Sequence, residues 1–188
     1  MNTMFDIILS SIIGGALMLS IFAVGSNLSE VSYKNNFDYS VQLAAMDLSQ
    51  MIEYDFNKIG YRTAKPAITA ADSTDITFKS DITNTHTVAT IRYYTGTPDD
   101  LTSTKNPNDI PMYKKLNGGT PASMYYGLTK MRFSYYDSVG TKFAMPVTAA
   151  NLSKIRSIKV EAVLQSAVSF DSTYSTIYWE RTFFPKNL

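Results

Sequence analysis

Apolar side chains dominate residues 7–24, which read IILSSIIGGALMLSIFAV, and Leu, Ile and Met cover every face of a helix drawn through them. A single acid, Asp6, sits at the edge of this run. Beyond Gly25 the apolar positions thin into a stripe. Phe37, Val41, Ala44 or Ala45, Leu48, Ile52, Phe56 and Ile59 recur at spacings of three and four, which is one helical face. The opposite face carries Lys34, Asn35, Gln42, Asp47, Gln50, Glu53 and Asn57. Gly60 is a stop signal, and Pro66 forbids continuation. The pattern therefore predicts one helix from Asn2 to Ile59, roughly 85 Å long. No small domain needs that length, so half of it must be covered by lipid or by neighbouring subunits.

From Thr63 the period shifts to that of short strands. Asp75 to Lys79 alternates, and Thr87 to Tyr94 (TVATIRYY) changes parity after Val88, which predicts a bulge or burial on both sides. Thr129 to Tyr136 sets Met131, Phe133 and Tyr135 against Lys130, Arg132 and Ser134. Asp137 to Gly140 reads as a turn into a strand at Lys142-Phe143. Ile155 to Leu164 puts Ile158, Val160, Ala162 and Leu164 on one face, and Ile177 to Phe184 closes the chain. Pro98 to Ala122 is rich in Pro, Gly, Asn and Asp and reads as loop around a short MYKKL strand.

These patterns predict an α+β fold, in which a long N-terminal helix packs on a C-terminal antiparallel β-sheet head. Residues 1–30 form the hydrophobic helix, 31–62 the amphipathic continuation, and 63–188 the head. The patterns leave the strand order open.

The apolar run has three readings. Eighteen residues at 1.5 Å each give roughly 27 Å, close to the hydrocarbon core of a bilayer, so a membrane helix is one. A cleavable secretory signal is the second, with Ala23-Val24-Gly25 as a small-residue cleavage site, although no Lys or Arg precedes Lys34. A buried core helix is the third. Gly14, Gly15 and Gly25 are weak helix formers; in a membrane helix such small residues let backbones approach closely.

Composition narrows the function classes. With 17 Lys+Arg against 16 Asp+Glu, the 188-residue chain has no basic surplus to attract a phosphate backbone, which argues against nucleic acid as a partner. The absence of Cys excludes disulfides, thiolate metal sites and a cysteine nucleophile. The single histidine, His86, lies in a polar stretch without a second zinc ligand and reads as a solvated loop residue. No serine sits in a recognisable catalytic context, and Gly118-Gly119 is a lone pair in a turn rather than a phosphate loop. Asp99, Asp100 and Asp109 crowd one loop; they read as turn acids, with an oxygen-ligand calcium site as the sharper alternative. The many tyrosines read as sheet-packing residues. No catalytic residue, cofactor or metal site is expected.

Several segments, in order, resemble the type IV pilin and pseudopilin superfamily, above all the J-class subunits of type II secretion and the W-type minor pilins. The helix end MIEYDFNKIGYR (Met51 to Arg62) resembles that group's L-x-x-D-hydrophobic-x-x-G-Y-R junction. ITFKSD (Ile76 to Asp81) with TIRYY (Thr90 to Tyr94) is similar to its first hairpin. GLTKMRFSYYDSVGTKF (Gly127 to Phe143) is similar to a later hairpin, and IRSIKVEAVL to the strand that follows. The resemblance implies a bacterial structural subunit, held in the inner membrane as a precursor and packed helix to helix in an extracellular filament on the cell surface. It also implies homo-oligomeric or related pilin-like partners, with an assembly platform and an ATPase. The family's basic leader and the Phe-Thr-Leu-x-Glu after it are replaced here by Met-Asn-Thr-Met-Phe-Asp. In the family a Glu at mature position five neutralises a neighbour's N-terminal amine; Asp6 is fifth if Met1 is lost and sixth if it stays. A membrane acid of this kind marks a functional contact.

Two functions follow as expectations. The first is a non-enzymatic filament subunit, with Asp6, Gly14, Gly15, Phe5, Ile8, Ile12 and Leu19 as assembly residues. The second is a singly membrane-anchored cell-envelope binding module, in which the helix is only a tether.

Overall fold

In the computed structural model, which describes residues 2–188, a single helix α1 spans Asn2–Asn57, 56 residues without a break. Eight strands follow: β1 (Ile68–Ala71), β2 (Asp75–Ser80), β3 (Ala89–Thr95), β4 (Met112–Leu116), β5 (Ala122–Met124), β6 (Leu128–Tyr136), β7 (Ser157–Gln165) and β8 (Thr176–Phe183). A 3-10 turn at Pro98–Asp100 and a one-turn helix α2 (Ala149–Leu152) lie in the connections. The fold is α+β, as the periodicity predicts.

The head differs from a single sheet. Strands β1 to β5 form one antiparallel meander and β6 to β8 a second. Isolated backbone bonds tie them together: Phe133 N–H to the Ser73 carbonyl (2.8 Å) and Ile110 N–H to the Leu128 carbonyl (2.7 Å). Strands β1 and β5 lie outside the segments that alternation identifies, because three or four residues are too few to show a period. The expected strand at Lys142-Phe143 does not form. Lys142 makes only an isolated bridge to Tyr136, and the Asp137 carboxylate instead holds the turn by accepting from Val139 and Thr141 N–H. Nor is there a bulge in β3, whose register against β2 runs unshifted from Ala89 to Tyr94; Val88 simply precedes the strand and faces solvent. The register shifts fall instead at Ile68/Ala70 and Leu128/Lys130.

The predicted stripe is the buried face of α1. Val41, Ala45, Leu48, Ile52, Phe56 and Ile59 are all buried, and Phe37 and Ala44 are half-buried. Phe56 is the joint of the molecule. Its ring lies 5.7 Å from Phe78 on β2 and 6.0 Å from Tyr93 on β3, in the first sheet. It lies 6.0 Å from Phe133 on β6 and 5.3 Å from Phe183 on β8, in the second. One helical side chain thus fastens both sheets, and the inward rows Met131, Phe133, Tyr135 and Ile158, Val160, Ala162, Leu164 complete the core.

The helix end is pinned by polar contacts. Asp55, 1% exposed, accepts from the Tyr93 hydroxyl and forms an ion pair with Lys114 Nζ at 2.5 Å. The Ser80 hydroxyl donates to the Lys58 carbonyl (2.6 Å), one of the orphan acceptors of a helix end. Gly60 stops the helix at φ +79°, where its N–H donates to the Lys79 carbonyl.

Candidate functional site: the uncovered helix

Every described residue from Thr3 to Asn36 is exposed, and none of the most apolar 18-residue window is buried. Apolar side chains between Met4 and Val24 range from 52% exposed at Ile13 to 75% at Phe5. The helix is long and apolar enough to cross a membrane. Within this chain the core-helix reading fails, because no part of the head reaches the run.

Helix geometry sorts the expected assembly residues. At about 100° per residue, Phe5, Ile8, Ile12, Gly15 and Leu19 fall within about 80° of one another and form one stripe. Gly14 and Asp6 lie about 140° to either side of its centre. All seven are exposed, and a Cβ added at Gly14 or Gly15 would meet nothing within 4 Å. The fold therefore gathers five of these positions on one face and distributes the other two around the rod. The serines inside the run are satisfied locally: Ser10 and Ser11 donate to the Ile7 carbonyl and Ser20 to the Ala16 carbonyl, so they add no unmet polar demand to an apolar surface.

Elsewhere the candidate chemistry disperses. Among the described residues no group of three His, Cys, Asp or Glu is placed to hold a metal ion. The three loop acids separate. Asp99 is exposed, and Asp100 accepts from the Thr97 N–H (2.7 Å) and hydroxyl (3.0 Å), which hold its carboxyl below the usual range. Asp109 is buried, and burial pushes its carboxyl up. His86 is exposed, with φ +63°, and its N–H donates to Asp81. The tyrosines divide: Tyr93 and Tyr135 are core, with phenols raised chiefly by burial, whereas Tyr54 and Tyr125 face solvent.

Sequence reading missed the environment of Asp109 and the partners of Asp55. An acid interrupting the stripe between Ile52 and Phe56 is a signal for a buried pair; nothing in the loop sequence singles out Asp109 from its neighbours.

No family model matches this chain, and no curated protein is significantly similar to it. A long N-terminal helix followed by antiparallel β-structure is the general architecture of pilin-like proteins, and this chain has that architecture.

Proposed function

We propose that this chain is a non-enzymatic structural subunit of a type IV pilus-like or type II secretion-like filament, held in the inner membrane as a precursor and at the cell surface once assembled. The observation that supports this reading is the bare apolar rod. Soluble monomers rarely expose contiguous apolar patches beyond a few hundred Å². Each 100 Å² covered on assembly stabilises the polymer by about 2.5 kcal/mol. Lipid covers a bilayer's length, but Leu28, Val31 and Tyr33 continue uncovered beyond it. Neighbouring helices of the same kind cover both stretches once the subunit leaves the membrane, with a platform protein and an ATPase driving extraction.

Asp6 has a role in this scheme as the counter-charge to a neighbour's N-terminal amine. The stripe of Phe5, Ile8, Ile12, Gly15 and Leu19 is the surface on which Gly15 lets the next helix approach. The rival reading is a singly anchored envelope module. Negative-stain microscopy of native material discriminates the two. Regular fibres are expected; uniformly dispersed monomers in detergent would overturn the filament reading. An Asp6→Ala variant should lose assembly, and undiminished fibres would remove the pairing role.

A further inference from the structure

Between α1 and the loops of the head lies a groove of about 230 Å³, far larger than the roughly 10–15 Å³ a single water needs. Asp109 lines it. That residue is 2% exposed, and its Oδ1 accepts no hydrogen bond among the described residues. It has no ion-pair partner there either. The nearby polar groups are mostly engaged with one another. The Asn106 amide donates to Gln165 Oε1 (3.1 Å) and the Ser166 carbonyl (3.2 Å), while Asn106 Oδ1 accepts from Asn108 N–H (3.0 Å). The Thr104 hydroxyl donates to the Asn106 carbonyl. Thr104 stands near enough to moderate the effect of burial on the carboxyl, but Oδ1 is left without a donor. A carboxylate oxygen withdrawn from water and left unpartnered is costly, and a cation reverses that cost with a charge-assisted bond.

We infer that this groove binds a primary ammonium group carried on an alkyl stem, with Asp109 as its counter-ion. The walls fit each part of such a group. Val41 and Ala44 of α1 offer an apolar side for methylenes, and Tyr125 and Tyr126 line it with aromatic side chains, a type that attracts cations. One carboxylate matches one positive charge. A divalent metal would need more anionic ligands than this groove holds. Burial raises the Asp109 carboxyl, and an adjacent ammonium would bring it down. The inference does not depend on the filament reading.

Full-length chain in detergent micelles is titrated with butylammonium chloride and, separately, with Nα-acetyl-lysine methylamide. 1-Butanol and calcium chloride serve as controls at constant ionic strength. The readout is the amide resonances of Gly127 and Gln165. Saturable shifts with an amine and none with butanol are expected. Asp109→Asn should weaken binding at least about tenfold. Tyr125→Ala, at an exposed position, should weaken it about three- to tenfold with an unchanged melting temperature. Binding of the blocked lysine identifies a protein side chain as the source; binding of butylammonium alone identifies a free amine. Either supports the site. No saturable response, a response to calcium alone, or amine affinity unchanged in Asp109→Asn overturns it. Should Asp109→Asn fail to fold, Tyr125→Ala decides, since unaltered affinity there also overturns the site.

Discussion

The Tyr93 hydroxyl, on the third strand, donates to the Asp55 carboxylate near the end of α1, and Lys114 reaches the same oxygen. This pair ties helix to sheet in the interior. Removing one member of a buried ion pair leaves an uncompensated charge, so Asp55→Ala should destabilise the head by about 3–5 kcal/mol. Tyr93→Phe, which keeps the ring but removes one donor from a charged acceptor, should cost about 1–3 kcal/mol. Denaturant melts of the full chain in detergent measure both; equal effects would show that the Tyr93 hydroxyl bond carries the whole contact and that Lys114 adds nothing to it.

Phe56 predicts a larger loss of a different kind. Its ring meets aromatic rings from both sheets, so Phe56→Ala opens a void that neither sheet alone can fill. The expected loss is about 3–5 kcal/mol. Hydrogen exchange should rise in both sheets together; a rise confined to one would deny the residue its joining role.

At Gly60 the backbone is left-handed, and an added Cβ would lie 2.7 Å from the Asn187 carbonyl oxygen. The conformational term alone is about 1–2 kcal/mol. Gly60→Ala should lower the melting temperature and loosen the C-terminal residues packed beneath it, as seen by amide exchange at Asn187 and Leu188.

Acid should weaken the head. Burial works against an ionised Asp81, yet its hydrogen bond from Arg62 (3.0 Å) and those from the His86 and Thr85 N–H groups outweigh it and hold the carboxyl below the usual range. The folded value lies below the unfolded one of about 3.9, so the contribution is complete above that pH. It is lost as pH falls through the folded value. Melting temperature should stay level from about pH 7 to 5 and drop below about pH 4, and Arg62→Ala should make that drop shallower. Asp109, raised by burial, contributes with the opposite sign.

Gly14 and Gly15 provide an internal comparison for assembly. Gly15 shares the stripe of Phe5, Ile8, Ile12 and Leu19, while Gly14 lies well off it. Under the filament proposal, Gly15→Ile should reduce fibre yield more than Gly14→Ile. Neither should change the melting of the head, because both sites stand clear of it. Equal loss of fibres would mean that the rod is packed all round without a preferred face.

Long elements were legible in the sequence because their periods repeat often enough to be seen. The stripe from Val41 to Ile59 repeats for several turns, and each of its positions is buried as the spacing requires. Strand β7, with nine residues, shows its alternation plainly, whereas in β6 Ser134, expected on the face opposite Phe133 and Tyr135, is buried with them. β1 and β5 are too short for that. The split into two sheets was illegible because it depends on which edges pair, and Phe133 meets Ser73, which lies 60 positions earlier in the chain. Among the proposed assembly residues, the apolar stripe could be read from spacing, since a helix that covers itself with nothing displays its sequence directly. Asp109 could not be, because an acid's burial is decided by loops that carry no period.

The unbroken α1 has a mechanical consequence. With no proline and no break in α1 between Val24 and Val41, the rod and the head are carried on one continuous helix, whose residue count sets how each is turned relative to the other. Inserting a single residue in that interval would swing the head by about 100° and advance it by about 1.5 Å. Adding seven would nearly restore its bearing while lifting it by about 10 Å. Spacing between these two landmarks thus sets the compass direction in which each head faces.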